Sequence, residues 1–253
     1  METPFSWKAH ERPIVAVAPM LGITTLAWRQ KIRQVAPEAV LFTEMMRARD
    51  IILGTREELS RLLDPQQKRP LIAQITENNA RESGEAARML EDVGVSGIDI
   101  NIGCPEVPFT SDGCGAALAR QPGRAAELVS AVRKAVSVPV SVKMRLDEDG
   151  DESSERLCRT LEAAGSDALI VHGRTIGQGF KGAVNWDAIY RLKRMVSIPV
   201  IGNGDIVTVD GAKQRIGNLD GIMIGRGVVQ HPQLIVDVIN AFSKRCAQTH
   251  DLH

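Results

Sequence analysis

The chain has no surplus of either charge. Across 253 residues, 31 basic side chains face 31 acidic ones, and the formal net charge is zero. That excludes a strongly basic nucleic-acid-binding surface over the whole molecule, while leaving a local patch open. Clustered cysteine is also missing. Cys104, Cys114, Cys158 and Cys246 are widely spaced and form no Cys-x-x-Cys pair. A zinc site or a disulfide framework is therefore not expected, and reduced thiols in the cytoplasm are. No apolar stretch approaches the roughly 18 residues needed to span a bilayer, and residues 1–13 hold no apolar leader segment. Linkers and low-complexity segments are absent too. The expectation is a soluble, cytoplasmic protein with one domain over residues 1–253 and no membrane contact.

What the sequence does have is alternation. Short apolar runs at Ile14–Met20, Ala39–Met45, Leu71–Thr76, Gly97–Ile102, Val138–Arg145, Ala168–Arg174, Pro199–Gly204 and Gly221–Gly225 read as strands. Between them lie stretches with apolar spacing near 3.6, such as Ala86/Met89/Leu90/Val93, Leu128/Val129/Val132/Val136 and Ile189/Leu192/Val196. Leu234, Ile235, Val238, Ile239 and Phe242 mark a final helix. Eight strand–helix units at this length predict an α/β fold, a (β/α)8 TIM barrel. A doubly wound sheet is the alternative. It would usually carry a Gly-x-Gly-x-x-Gly loop after the first strand, and Ala18-Pro19-Met20-Leu21-Gly22 has none.

A barrel places catalytic side chains at the C-terminal ends of its strands. Those ends supply Pro19 and Met20, Glu44, Gln74, Asn101 and Cys104, Lys143 and Arg145, His172 and Arg174, then Gly202-Asn203-Gly204-Asp205 and Gly225-Arg226-Gly227. Ile98, Ile100 and Ile102 alternate with Asp99, Asn101 and Gly103, so the fourth strand delivers an amide and a thiol to its tip before Pro105 ends it. A lone cysteine is commonly just a small buried hydrophobe, and that reading stands beside the catalytic one. Lys143 and Arg145 share one face of the fifth strand. Two cations inside a barrel need counter-charge, either from acidic side chains or from a phosphorylated cofactor. Glycines at 202, 204, 225 and 227 with Arg226 favour a phosphate site after the last two strands. Glu44 either caps a barrel layer or pairs with a phosphate-site arginine. Trp186 is expected to pack its helix on the barrel, Cys158 to lie in the core, and Cys114 to serve loop packing.

With these residues in order, the chain resembles the dihydrouridine synthases, flavin enzymes that reduce uridines in RNA. The resemblance rests on Ala18-Pro19-Met20, Thr43-Glu44-Met45, Asn101-Ile102-Gly103-Cys104-Pro105, Gly115-Ala116-Ala117-Leu118 and Val142-Lys143-Met144-Arg145. It continues through His172-Gly173-Arg174-Thr175, Gln178, Trp186, Gly202-Asn203-Gly204-Asp205 and Met223-Ile224-Gly225-Arg226-Gly227. It implies FMN as cofactor and NADPH as reductant. Pro19, Met20, Gln74, Lys143 and His172 would contact the flavin, and Asn101 and Arg145 would also bind the cofactor. Asn203, Gly204, Asp205, Gly225 and Arg226 would hold its phosphate. Asn101 and Arg174 would contact substrate, and Cys104 would donate a proton to C5 of uracil as hydride reaches C6. The RNA partner it implies is tRNA.

Two departures modify that picture. Family members usually follow the barrel with a helical tRNA-gripping domain, whereas this sequence stops after the eighth barrel helix, so a compact form that binds tRNA weakly is expected. The family also often places Lys or Arg after Cys-Pro. Here the loop reads Glu106-Val107-Pro108-Phe109-Thr110-Ser111-Asp112, without a cation. Reduction of a free pyrimidine or another enone is one alternative, and a flavin-binding RNA or protein interaction module without turnover is another.

Overall fold

The computed structural model describes residues 4–11, 13–63, 70–148 and 150–250. Eight strands, β1 (Ile14–Val17), β2 (Leu41–Arg47), β3 (Leu71–Thr76), β4 (Gly97–Ile102), β5 (Val140–Leu146), β6 (Ala168–Thr175), β7 (Val200–Asn203) and β8 (Gly221–Ile224), alternate with helices. All pair in parallel, in the order β1-β8-β7-β6-β5-β4-β3-β2. A parallel bridge from Ala16 to Val40 joins the two ends of that order, with Val17 N–H donating to Val40 O and Val40 N–H donating to Val15 O. The sheet curls into the (β/α)8 barrel expected from the strand–helix rhythm.

The strands lie where the apolar runs place them, with the first trimmed. β1 stops at Val17, which leaves Pro19 and Met20 in the loop beyond. Proline has no N–H to give a neighbouring strand. Some helices start on side-chain caps: Asn79 Oδ1 accepts from Arg81 and Glu82 N–H at 3.0 and 3.2 Å ahead of the helix Ala80–Asp92. Thr25, Asn185 and Thr208 cap three others in the same way.

Alternation along each strand sorts the core into two layers. Outward residues such as Ile98, Ile100, Val142, Met144 and Val171 pack beneath the helices, where Leu90, Leu128, Val132, Leu161 and Ile189 meet them. Cys158 is buried there with its sulfur 3.7 Å from that of Met144. Inward residues Ile14, Ala16, Phe42, Ile72, Ala168, Ile170, Ile201 and Met223 fill the barrel with Trp7, which arrives from the segment before β1 and packs on Phe42. The missing Cβ at Gly202 admits the Trp186 ring: an added Cβ would lie 2.5 Å from it. Above the apolar plug the inward positions turn polar. Among the described residues no helix is long and apolar enough to cross a membrane.

Candidate active site

Register decides which polar groups meet. Gln74 on β3 pairs with Asp99 on β4, and Asp99 with Ser141 on β5. One step further along, Asn101 lies beside Lys143, and beyond that Arg145, His172, Asn203 and Met223 follow one another across β5 to β8. Gln74, Asn101, Lys143, Arg145, His172 and Asn203 form the floor of a cleft of about 470 Å3 at the C-terminal ends of the strands. Pro19, Met20, Gln74, Asn101, Cys104, Lys143, Arg145, His172, Asn203, Gly204, Asp205, Gly225 and Arg226 all line it.

The floor is strongly positive. Lys143 Nζ donates to Asn203 Oδ1 at 3.2 Å, and Asn203 Nδ2 donates in turn to Met223 O at 2.8 Å. Burial, reinforced by the Arg145 charge, lowers the Lys143 pKa to about 8, against the pull of Asp99. Arg145 is likewise lowered to about 10, mainly by burial. Its Nε donates to Gly103 O at 2.9 Å and its Nη1 to Gly179 O at 2.7 Å, which ties the β4 and β6 loops together. His172 is pushed down to about 2 by burial and then by Lys143, Arg145, Arg174 and Arg226. It is a neutral imidazole at any physiological pH. Its Nδ1 accepts the Arg174 N–H at 3.2 Å, so the ring proton is on Nε2.

Cys104 is half-buried at the edge of this floor. Burial is the largest influence on its thiol and raises the pKa, the Glu106 carboxylate adds to that, and Arg145 and Lys143 oppose it. Cys114 is fully buried and raised to about 11, again chiefly by burial. Its backbone neighbour explains the Gly-Ala signature. Gly115 has φ +58°, and a Cβ there would meet the Cys104 carbonyl at 2.7 Å, while Ala116 N–H donates to that same oxygen at 2.9 Å.

Two residues expected to touch substrate are engaged within the protein. Asn101 Oδ1 accepts from both Gly103 and Cys104 N–H at 2.9 Å, and its Nδ2 donates to Gln74 Oε1 at 3.2 Å and Met45 Sδ at 3.3 Å. Every hydrogen-bonding position of that amide is in use. Arg174 is buried, does not line the cleft, and binds Asp205 together with the Lys181 and Gly182 carbonyls. Asp205, at φ 46°, also receives Arg226 at 3.1 Å, so it joins Arg174 of β6 to Arg226 of the loop after β8.

The model of the dihydrouridine synthase family matches residues 16–252. A probable tRNA-dihydrouridine synthase 1 from Synechocystis is 37% identical over 247 residues, covering 95% of this chain and 68% of that protein. A probable tRNA-dihydrouridine synthase from Rhizobium leguminosarum is 37% identical over 86% of this chain and 69% of its own. A mouse tRNA-dihydrouridine(20a/20b) synthase [NAD(P)+]-like protein is 35% identical over 89% of this chain and 70% of its own. The chain belongs to the dihydrouridine synthase family. Among solved structures, a 2-naphthoyl-CoA reductase complex shares the fold with a TM-score of 0.69 at 12% identity, over 90% of this chain and 50% of that one.

In this member of the family, the acidic loop after Cys104 is folded and held in place. Residues Val107–Thr110 form a short helix. Arg47 pairs with Asp112 at 2.8 Å and lies 5.0 Å from the Phe109 ring. Glu44 accepts Gly22 N–H at 2.6 Å and so holds the loop after β1 to β2. Three contributors went unread in the sequence. Asp99 and Ser141 support Gln74 from below. Phe180 lines the cleft at 59% exposure, with the Arg145 and Arg226 guanidinium carbons each 5.5 Å from its ring. Phe180 follows Gly179 in a loop with no periodicity to mark it, so only its residue type could have drawn attention.

Proposed function

We propose that the chain reduces uridine to 5,6-dihydrouridine in tRNA, with FMN bound in the cleft and NADPH as reductant. The observation that carries this reading is a thiol, Cys104, at the rim of a cleft whose floor holds Lys143, Arg145 and His172, with burial favouring the protonated sulfur. The donor set suits FMN. Cations that depress one another's pKa are relieved by an anionic group, and Arg226 with the Gly204 and Gly225 backbone offers a place for a phosphate. Lys143 and His172 Nε2–H are fixed donors for the electron-rich edge of the ring, and Pro19, Met20 and Gln74 complete that wall.

FMN supplies the hydride for C6 of uracil. The chain's own residues supply the rest. Burial and Glu106 keep the Cys104 proton on sulfur until C5 becomes basic. The sulfur then gives up that proton, and Arg145 and Lys143 stabilise the thiolate left behind. Asn101 holds the backbone of Cys104 in place while this happens.

The test is to add FMN to the purified chain, measure binding by absorbance and fluorescence, and supply NADPH with tRNA lacking dihydrouridine. Flavin binding and new dihydrouridine by mass spectrometry are expected, with free uridine and uracil as comparison substrates. Lys143→Ala should weaken FMN binding about tenfold, the worth of a charge-assisted hydrogen bond. A chain that binds no FMN contradicts the reading.

A further inference from the structure

Asp99 lies on β4, two positions before Asn101, and is fully buried. It does not line the cleft, yet both its oxygens are engaged: Gln74 Nε2 donates to Oδ2 at 2.7 Å, and Ser141 Oγ donates to Oδ1 at 2.7 Å. An ionised carboxylate only accepts, so it fixes Gln74 with its nitrogen towards β4. Gln74 Oε1 then faces Asn101, whose Nδ2 donates to it at 3.2 Å. Asn101 is also fixed from its far side. Gly103 and Cys104 both present N–H groups at 2.9 Å, and only the amide oxygen can accept them. The chain of amides therefore runs from a group that can only accept to groups that can only donate. One orientation of Gln74 and Asn101 satisfies both ends.

We propose that Asp99 is a positioning residue for Cys104, acting through the Gln74 and Asn101 amides to hold the thiol-bearing loop in place. Without an acceptor at 99, Gln74 is free to turn. Once turned, it sets its NH2 group against that of Asn101. Asn101 regains that bond only by turning too, which releases the Gly103 and Cys104 N–H groups. Asp99 reaches about pH 6 before ionising, because burial raises its pKa, and so is the required acceptor at neutral pH. The effect on turnover rests on Cys104 being the proton donor, whereas the placement of the thiol does not.

The experiment reads the alkylation rate of Cys104 in the full chain by iodoacetamide and peptide mass spectrometry, with buried Cys114 and Cys158 as internal references. Asp99→Leu should raise that rate about tenfold, since losing a hydrogen bond worth about 1.4 kcal/mol loosens the loop and admits water to the thiol. Asn101→Ala should do the same, and the double variant should be no faster than the faster single one. A rate within about twofold of the parent in Asp99→Leu, or two effects that multiply, overturns the proposal. Should Asp99→Leu fail to fold, Gln74→Met interrupts the relay midway and must give the same increase. Asp99→Asn can still offer an oxygen to Gln74 and must stay near the parent rate. If Cys104→Ala still reduces uridine, the proton-donor assignment falls, and the alkylation cycle still judges the relay.

Discussion

Several influences act on one proton at Cys104. Burial and the Glu106 charge hold it on sulfur, while the Glu106 backbone N–H, Arg145 and Lys143 favour its departure. The balance keeps the thiol above its ordinary pKa of 9.0, so the acid form should persist through the neutral range and be lost only in alkali. Glu106→Gln removes a charge that favours the protonated form. The Cys104 pKa, read from alkylation against pH, should therefore fall by about a few tenths, as an exposed charge warrants. An unchanged pKa would show that Glu106 acts through its backbone alone, which the variant keeps, and a rise would contradict the role given to its charge. Residue identity made Cys104, Lys143 and His172 legible in the sequence because each is unusual at a barrel strand end. Asp99 was not legible: it reads as one more polar residue on an alternating strand. Its partners lie 25 positions before it and 42 after it, and only register brings them together.

The elements carrying the site are mostly loops tied to strand tips. The strands themselves were legible because β-branched runs in β1, β4 and β7 stand between helical patterns. The loops were not, since Arg47 reaching Pro108 O and Asp112 obeys no period. The departure after Cys104 illustrates this. Its acids read in sequence as a lost RNA contact, whereas in the structure Asp112 is the partner of Arg47. Gly115 is the narrowest point of this arrangement. Gly115→Ala should cost about 1–3 kcal/mol, since φ +58° is strained for alanine and its Cβ would press on the Cys104 carbonyl. Thermal unfolding should show the loss, and Cys104 alkylation should change with it. An unchanged Tm and an unchanged rate would mean that the loop yields without resistance.

Across the whole molecule, function is separated from stability along the barrel axis. Trp7 and the inward residues Ile14, Ala16, Phe42 and Ile72 belong to an apolar plug, and the costly charges line the cleft at the strands' C-terminal ends. Zero net charge, with Arg47 and Arg174 paired internally, leaves few cations for phosphates. Binding of labelled tRNA should therefore be weak, with a shallow salt dependence of about two or three phosphate contacts. A steep slope would reveal a basic face assembled by other means.

The proposed division of labour between a flavin-binding floor and the Cys104 rim is tested most directly by Cys104→Ala. The variant protein, loaded with FMN, should be reduced by NADPH at the parent rate. On addition of unmodified tRNA it should then form dihydrouridine about 10²- to 10⁴-fold more slowly, the usual cost of losing a general acid. Parent-like dihydrouridine formation by Cys104→Ala, or its loss in Cys114→Ala instead, would contradict the assignment of the thiol.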